Sequence, residues 1–197
     1  MYHPTEEEFL KLSSTGRGNL IAVYREILAD LETPVSAYFK IAAQAPYSFL
    51  LESVEGQEKV ARYSFLAKDP ELIFRLKDKT AEIIRPQSPE AKKERLDFKE
   101  TPLNFIREIM SRYHLIPFRG FPRFCGGMVG FLGYDGVRFF ERLPRKTKDD
   151  LGCPEMVLIL TKNLVIFDHL NHKIKVVSCA FFDPQSTSEE KIKSYEK

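Results

Sequence analysis

Two apolar runs near the end of the chain, MVLILTKNLVIFD at 156–168 and KIKVVSCAFF at 173–182, are separated by only the four residues HLNH. Strands joined by so short a connection must run antiparallel, because a parallel crossover needs a dozen or more residues. A second pair makes the same demand. LIFRL and AEIIR alternate apolar and polar positions around Lys77-Asp78-Lys79, which predicts a hairpin with one wet face. Between such strands lie helix signals without any strand-helix-strand regularity. The expected class is therefore α+β, mostly antiparallel sheets packed with helices.

The helix signals are specific. Thr5 with Glu8 three residues on is a capping box that predicts a short helix through Phe9 and Leu12. Thr33-Pro34 and Thr101-Pro102 each place a cap residue before a proline at the first helical position. The second of these predicts a helix whose apolar face is Leu103, Ile106, Met110 and Tyr113. LIAVYREI after the 16–19 turn, the stretch from 47, and 60–66 read as strands. The charged tract PEAKKERLD at 89–97 reads as a solvated loop. At the end, SEEKIKSYEK predicts a helix capped by Ser188, barely begun, as though a linker at 184–197 led from a domain at 1–183 into a longer polypeptide.

Composition narrows the function classes. A formal charge of +2 with both signs spread along the chain lacks the field that holds a polyanion, so nucleic acid is not expected as a partner. No run approaches the roughly 18 apolar residues of a membrane span, and the opening MYHPTEEEFL is acidic where a secretory leader is basic. A cytoplasmic protein is expected. Cys125, Cys153 and Cys179 are odd in number and far apart, which suggests structural cysteines and no metal clip. His169 and His172 flank the predicted turn without a third ligand in view. No Gly-x-Ser-x-Gly elbow or phosphate loop is present.

Two stretches remain. In YSFLLES an aliphatic strand ends on Glu52 and Ser53, a pattern that either marks the strand reaching the surface or delivers two polar groups to the mouth of an apolar pocket. In FCGGMVGFLGY, glycines at 126, 127, 130 and 133 interrupt an apolar run. They imply close approach by another backbone or a ligand, or a bulged core strand. Their spacing does not fit a dinucleotide fingerprint.

DLETPVSAY at 30–38, LLES at 50–53, ARYSFLAKDP at 61–70 and GGMVGFLGYDGVRFFERLP at 126–144, in that order, resemble the N-terminal domain of the large subunit of anthranilate synthase, component I. The Glu-Ser pair fits this family better than its paralogue, aminodeoxychorismate synthase component I. Ala61 departs from the glycine common before Arg-Tyr-Ser.

The resemblance implies half of a two-domain α/β sandwich. The whole family protein converts chorismate to anthranilate with ammonia from a glutamine amidotransferase, and Mg2+ and chorismate are held by a C-terminal domain that the sequence does not contain. No catalytic or metal residue is therefore expected here, and no cofactor beyond the Mg2+ of the whole enzyme. This portion would be regulatory and inactive alone, with tryptophan as feedback inhibitor. Leu51, Glu52, Ser53, Lys59, Arg62 and Tyr63 inherit the tryptophan site by position, and Gly126, Gly127 and Gly130 a close-approach role at the interface that moves. Leu50 and Leu51 would wall the indole, Glu52 would accept from the ammonium group, and Ser53 would add a hydrogen bond. The alternatives are the equivalent domain of the paralogue and a docking scaffold that binds no small molecule.

Overall fold

The computed structural model describes residues 1–52, 62–88, 93–97, 101–118, 120–144 and 149–196. In chain order its elements are β1 (Tyr2–His3), α1 (Glu6–Ser13), β2 (Leu20–Leu28), α2 (Pro34–Ile41), β3 (Ser48–Leu51), β4 (Tyr63–Lys68), β5 (Leu72–Lys77), β6 (Thr80–Ile84), β7 (Lys93–Asp97), α3 (Pro102–Met110), β8 (Gly127–Leu132), β9 (Met156–Thr161), β10 (Asn163–Asp168), β11 (Lys173–Phe181) and α4 (Ser188–Tyr195). The strands form two wholly antiparallel sheets, ordered β1-β2-β11-β10-β4-β3 and β7-β6-β5-β9-β8. With the helices they make the expected α+β fold.

The chain divides into two compact units. The first comprises Met1–Asp69, Arg112–Gly126 and Lys162–Lys197, and the second Pro70–Ser111 and Gly127–Thr161. The run at 156–168, which looks like one strand, is two: β9 belongs to the second unit and β10 to the first, with Lys162 between them.

In the first unit, strand alternation sends apolar residues to both faces of the six-stranded sheet. One face carries Ala22, Tyr24, Leu164, Ile166, Val177 and Cys179. Over it runs the 112–126 segment, tied to β2 by Leu20 N–H donating to the His114 carbonyl at 3.2 Å and Ile116 N–H to the Leu20 carbonyl at 2.8 Å. That segment stacks Phe118 and Phe121 against Tyr24, with ring centroids 6.1 and 5.1 Å away. The other face carries Ile21, Val23 and Ala180 under α1, whose fully buried Phe9 meets Phe182 and Tyr195. The Thr5–Glu8 capping box forms as its spacing requires. The last helix is capped by Thr187 with Glu190, one residue before the expected Ser188, because only Thr187 has its box partner three residues on.

In the second unit, Ile73, Phe74, Leu76, Ala81, Ile83 and Met156 are buried. α3 lays Phe105 on Phe74, centroids 5.6 Å apart, and buries Pro102 and Ile109. Its inward face is thus not the one expected: Leu103 is exposed, and Tyr113 lies past the helix end. The aromatic partner decides the helix rotation, and Pro102, Phe105 and Ile109 are spaced just as well for it. Part of the tract expected as a loop is β7, paired with β6 so that Arg95 faces Glu82. A charged edge strand has the composition of a loop because charge is how edges avoid further pairing. Its first residues, 89–92, lie outside the described residues.

Candidate functional site

β3 is an edge strand of the six-stranded sheet and pairs only with β4, so Leu50 faces Leu66 and Leu51 faces Phe65. Opposite residues share a sheet face. Leu51 therefore lies on the side of Phe65, Phe49 and Tyr63, all packed on the core there. Phe65 in turn meets Phe124 edge-on at 5.2 Å and Tyr63 at 6.1 Å. The result is an aromatic shelf at the sheet edge with Leu51, 45% exposed, as its outer rim. Glu52 follows directly, exposed and without a hydrogen-bond or ion-pair partner among the described residues. Ser53 and Lys59, the other expected members, lie outside the described residues.

The chain rejoins the sheet at Arg62 and Tyr63. Arg62 grips Asp168, the last residue of β10, through Nε at 3.0 Å and Nη2 at 2.7 Å. Its guanidinium carbon sits 4.9 Å from the centroid of the Tyr63 ring. Asp168 is only 3% exposed, and its carboxylate also accepts from the backbone N–H groups of Leu170 and Asn171 and from Asn171 Nδ2 at 2.9 Å. Burial pushes this carboxyl's pKa upward, but the bonds from Arg62 and Asn171 outweigh it and hold the group below the ordinary aspartate value. The same pairing raises Arg62 further, and burial raises the Tyr63 phenol. The backbone closes the arrangement: His169 N–H donates to the Arg62 carbonyl at 2.9 Å, and the His169 ring shares a hydrogen bond with buried Ser64 at 2.8 Å.

The structure thus brings Leu51, Arg62 and Tyr63 to one end of one sheet. It also shows that Arg62 is committed to an internal carboxylate. Asp168 was not among the expected residues, although LVIFD shows the signal that drew attention to LLES, an apolar strand ending on a carboxylate. Gly126 belongs to the first unit, while Gly127 and Gly130 belong to the second. At Gly130 the close approach is internal to the second unit: a Cβ there would stand 1.9 Å from the Val157 carbonyl oxygen of β9. Gly127 holds a φ of 128° that side chains avoid.

Elsewhere in the first unit, a cleft of about 720 Å³ opens on the opposite sheet face, lined by Val23, Leu66, Val165, Val176 and Tyr195 among others. None of the expected site residues lines it. Among the described residues no three carboxylate, imidazole or thiol side chains converge on a metal position. No described helix is long and apolar enough to cross a membrane.

The shelf thus joins apolar and aromatic side chains to an exposed carboxylate at its rim and a pinned guanidinium behind it. No family model matches the chain. Whole-chain comparison finds anthranilate synthase component 1 of Acetivibrio thermocellus, 39% identical over 178 residues, which is 90% of this chain and 34% of that protein. The same protein of Pseudomonas aeruginosa is 40% identical over 176 residues, 88% of this chain and 35% of the relative. A solved structure, anthranilate synthase component I from Streptococcus pneumoniae TIGR4, covers 86% of this chain and 35% of its own at 23% identity, with a TM-score of 0.47. The resemblance carried by the four motifs therefore holds across nearly the whole chain, which is homologous to anthranilate synthase component 1. The chain spans about a third of the length of the curated relatives it matches.

Proposed function

We propose that this chain is the N-terminal, regulatory portion of an anthranilate synthase component I, and that its effector is tryptophan. The whole protein would be a lyase of tryptophan biosynthesis, turning chorismate into anthranilate with ammonia from a glutamine amidotransferase subunit, Mg2+ being held by the C-terminal domain. The observation that carries this reading is identity of 39% over 90% of the chain. The aromatic shelf beside Leu51 suits an indole, and exposed Glu52 suits an ammonium group. Bound tryptophan would favour a state poor for chorismate, with a coupling of about 1–3 kcal/mol as in ordinary allosteric systems. The glycine-rich strand would lie near the interface that moves.

The test is inhibition of the full-length enzyme. Ser53→Phe adds bulk at a proposed ligand contact and should raise the half-inhibiting tryptophan concentration at least about tenfold, equivalent to about 1.4 kcal/mol. Glu52→Lys should act in the same direction by repelling the ammonium group. An unmoved inhibition curve in a folded Ser53→Phe protein would place the effector elsewhere. The 197-residue chain alone, given chorismate, ammonia and Mg2+, should form no anthranilate; fluorescence above a blank without protein would refute that. Because the chain contains no tryptophan of its own, ligand indole emission can be followed against tyrosine alone, and a docking scaffold would give no saturable signal.

A further inference from the structure

A buried carboxylate is costly, and a well-packed apolar pair of the same volume is often no less stable than a buried ion pair. Asp168 therefore calls for a reason beyond holding the sheet together. Its surroundings supply one. The carboxylate is fixed from its own side by the turn that follows it, through Leu170 and Asn171, and it offers both oxygens to the two nitrogens of Arg62. Such a fork fixes the plane as well as the position of a guanidinium. The guanidinium carbon lies 4.9 Å from the centroid of the Tyr63 ring, and Tyr63 stands opposite Asp168 across the β4–β10 pair. One long-range contact thus orients two side chains at the point where the chain comes back to the shelf. At the outgoing end Leu51 sits half-exposed at a sheet edge, and Glu52 has no partner among the described residues.

We propose that Asp168 is a positioning residue for the effector site, holding Arg62 and Tyr63 in the arrangement that tryptophan meets, so that sensitivity to the effector depends on the Arg62–Asp168 pair. This rests on the tryptophan reading above. Without the pair, the ligand itself must order the guanidinium and the ring, and affinity falls by the cost of that ordering. The carboxylate acts through Arg62 and does not touch the ligand.

The experiment uses the full-length enzyme with tryptophan as the probe, and reads the half-inhibiting concentration beside the thermal midpoint. Asp168→Asn and Arg62→Gln should each raise that concentration about tenfold, while Arg62→Lys, which keeps the charge but loses the fork, should raise it about threefold. A pair that merely stabilises the fold would lower the midpoint and leave the inhibition curve unmoved. That result in Asp168→Asn overturns the proposal, and if Asp168→Asn does not fold, the same result in Arg62→Lys does so. Ser53→Phe separates the two failures. A shifted curve for Ser53→Phe with an unshifted one for Asp168→Asn sinks only the role of the pair. An enzyme that tryptophan does not inhibit, or that ignores Ser53→Phe, removes the effector reading and this proposal with it.

Discussion

Among the described residues, the six-stranded sheet encloses ion-paired charge, whereas the ion pairs on the five-stranded sheet lie nearer the solvent. In the first, Asp168 is enclosed with Arg62, and Lys175, 5% exposed, reaches Glu26 while its ammonium lies 4.5 Å from the Tyr24 ring centroid. In the second, the pairs of Lys77 with Asp149 and of Arg85 with Glu94 are at least a third exposed on both sides. The edges differ as well. The first sheet ends in very short strands, β1 and β3, whereas the second ends in a charged strand, β7, and a glycine-bearing one, β8. Both are ways of discouraging stray pairing. Buried, fully bonded charge specifies one arrangement of side chains more than it adds stability. The contrast places specification in the six-stranded sheet and ordinary packing in the other, and it is the six-stranded sheet that carries the candidate site.

Packing predicts the largest effect. Phe74 is fully buried against Phe105, so Phe74→Ala should cost about 3–5 kcal/mol in chemical denaturation. A cost below about 1 kcal/mol would mean that the five-stranded sheet is not held by its core, and the comparison would fail. Gly130→Ala comes next, at about 3 kcal/mol, since its Cβ meets a backbone carbonyl that cannot swing aside as a side chain would. Faster hydrogen exchange along β8 and β9 should accompany it; unchanged exchange there would show that the strands separate without penalty.

The smallest effect sharpens the contrast, because pH carries it. Asp168 has its native pKa lowered by its hydrogen bonds, so its contribution is fully present above the unfolded value of about 3.9. It is lost as pH falls through the lower native value. Asp168→Asn should therefore cost about 1.5 kcal/mol near neutrality and flatten the acid limb of the stability curve. Parallel curves for the two proteins between pH 2 and 5 would show that the carboxylate is not protected in the native state.

Much of the local structure was legible from sequence because its causes are local. The capping box of Thr5 and Glu8 was read from their spacing alone and forms as such, whereas at the last helix the cap is Thr187 and not the expected Ser188. Alternation around Lys77-Asp78-Lys79 yields the β5–β6 hairpin, with Asp78 taking the positive φ of its turn. The motifs LLES and ARYSFLAKDP, read as a resemblance, led to Leu51, Arg62 and Tyr63, which the fold brings to one sheet end.

What only the tertiary structure decided depends on contacts between residues far apart in sequence. Nothing in the unbroken run MVLILTKNLVIFD announces that the strand changes sheets at Lys162, since either half can be buried in either unit. The rotation of α3 depends on Phe74, 31 residues before Phe105, and the strand character of β7 on the open edge of β6. The partner of Arg62 lies 106 residues away. A sequence shows that an arginine carries charge and an aspartate ends a strand. That each completes the other follows from the sheet order, because only pairing of β4 with β10 sets Tyr63 opposite Asp168 and closes the fork.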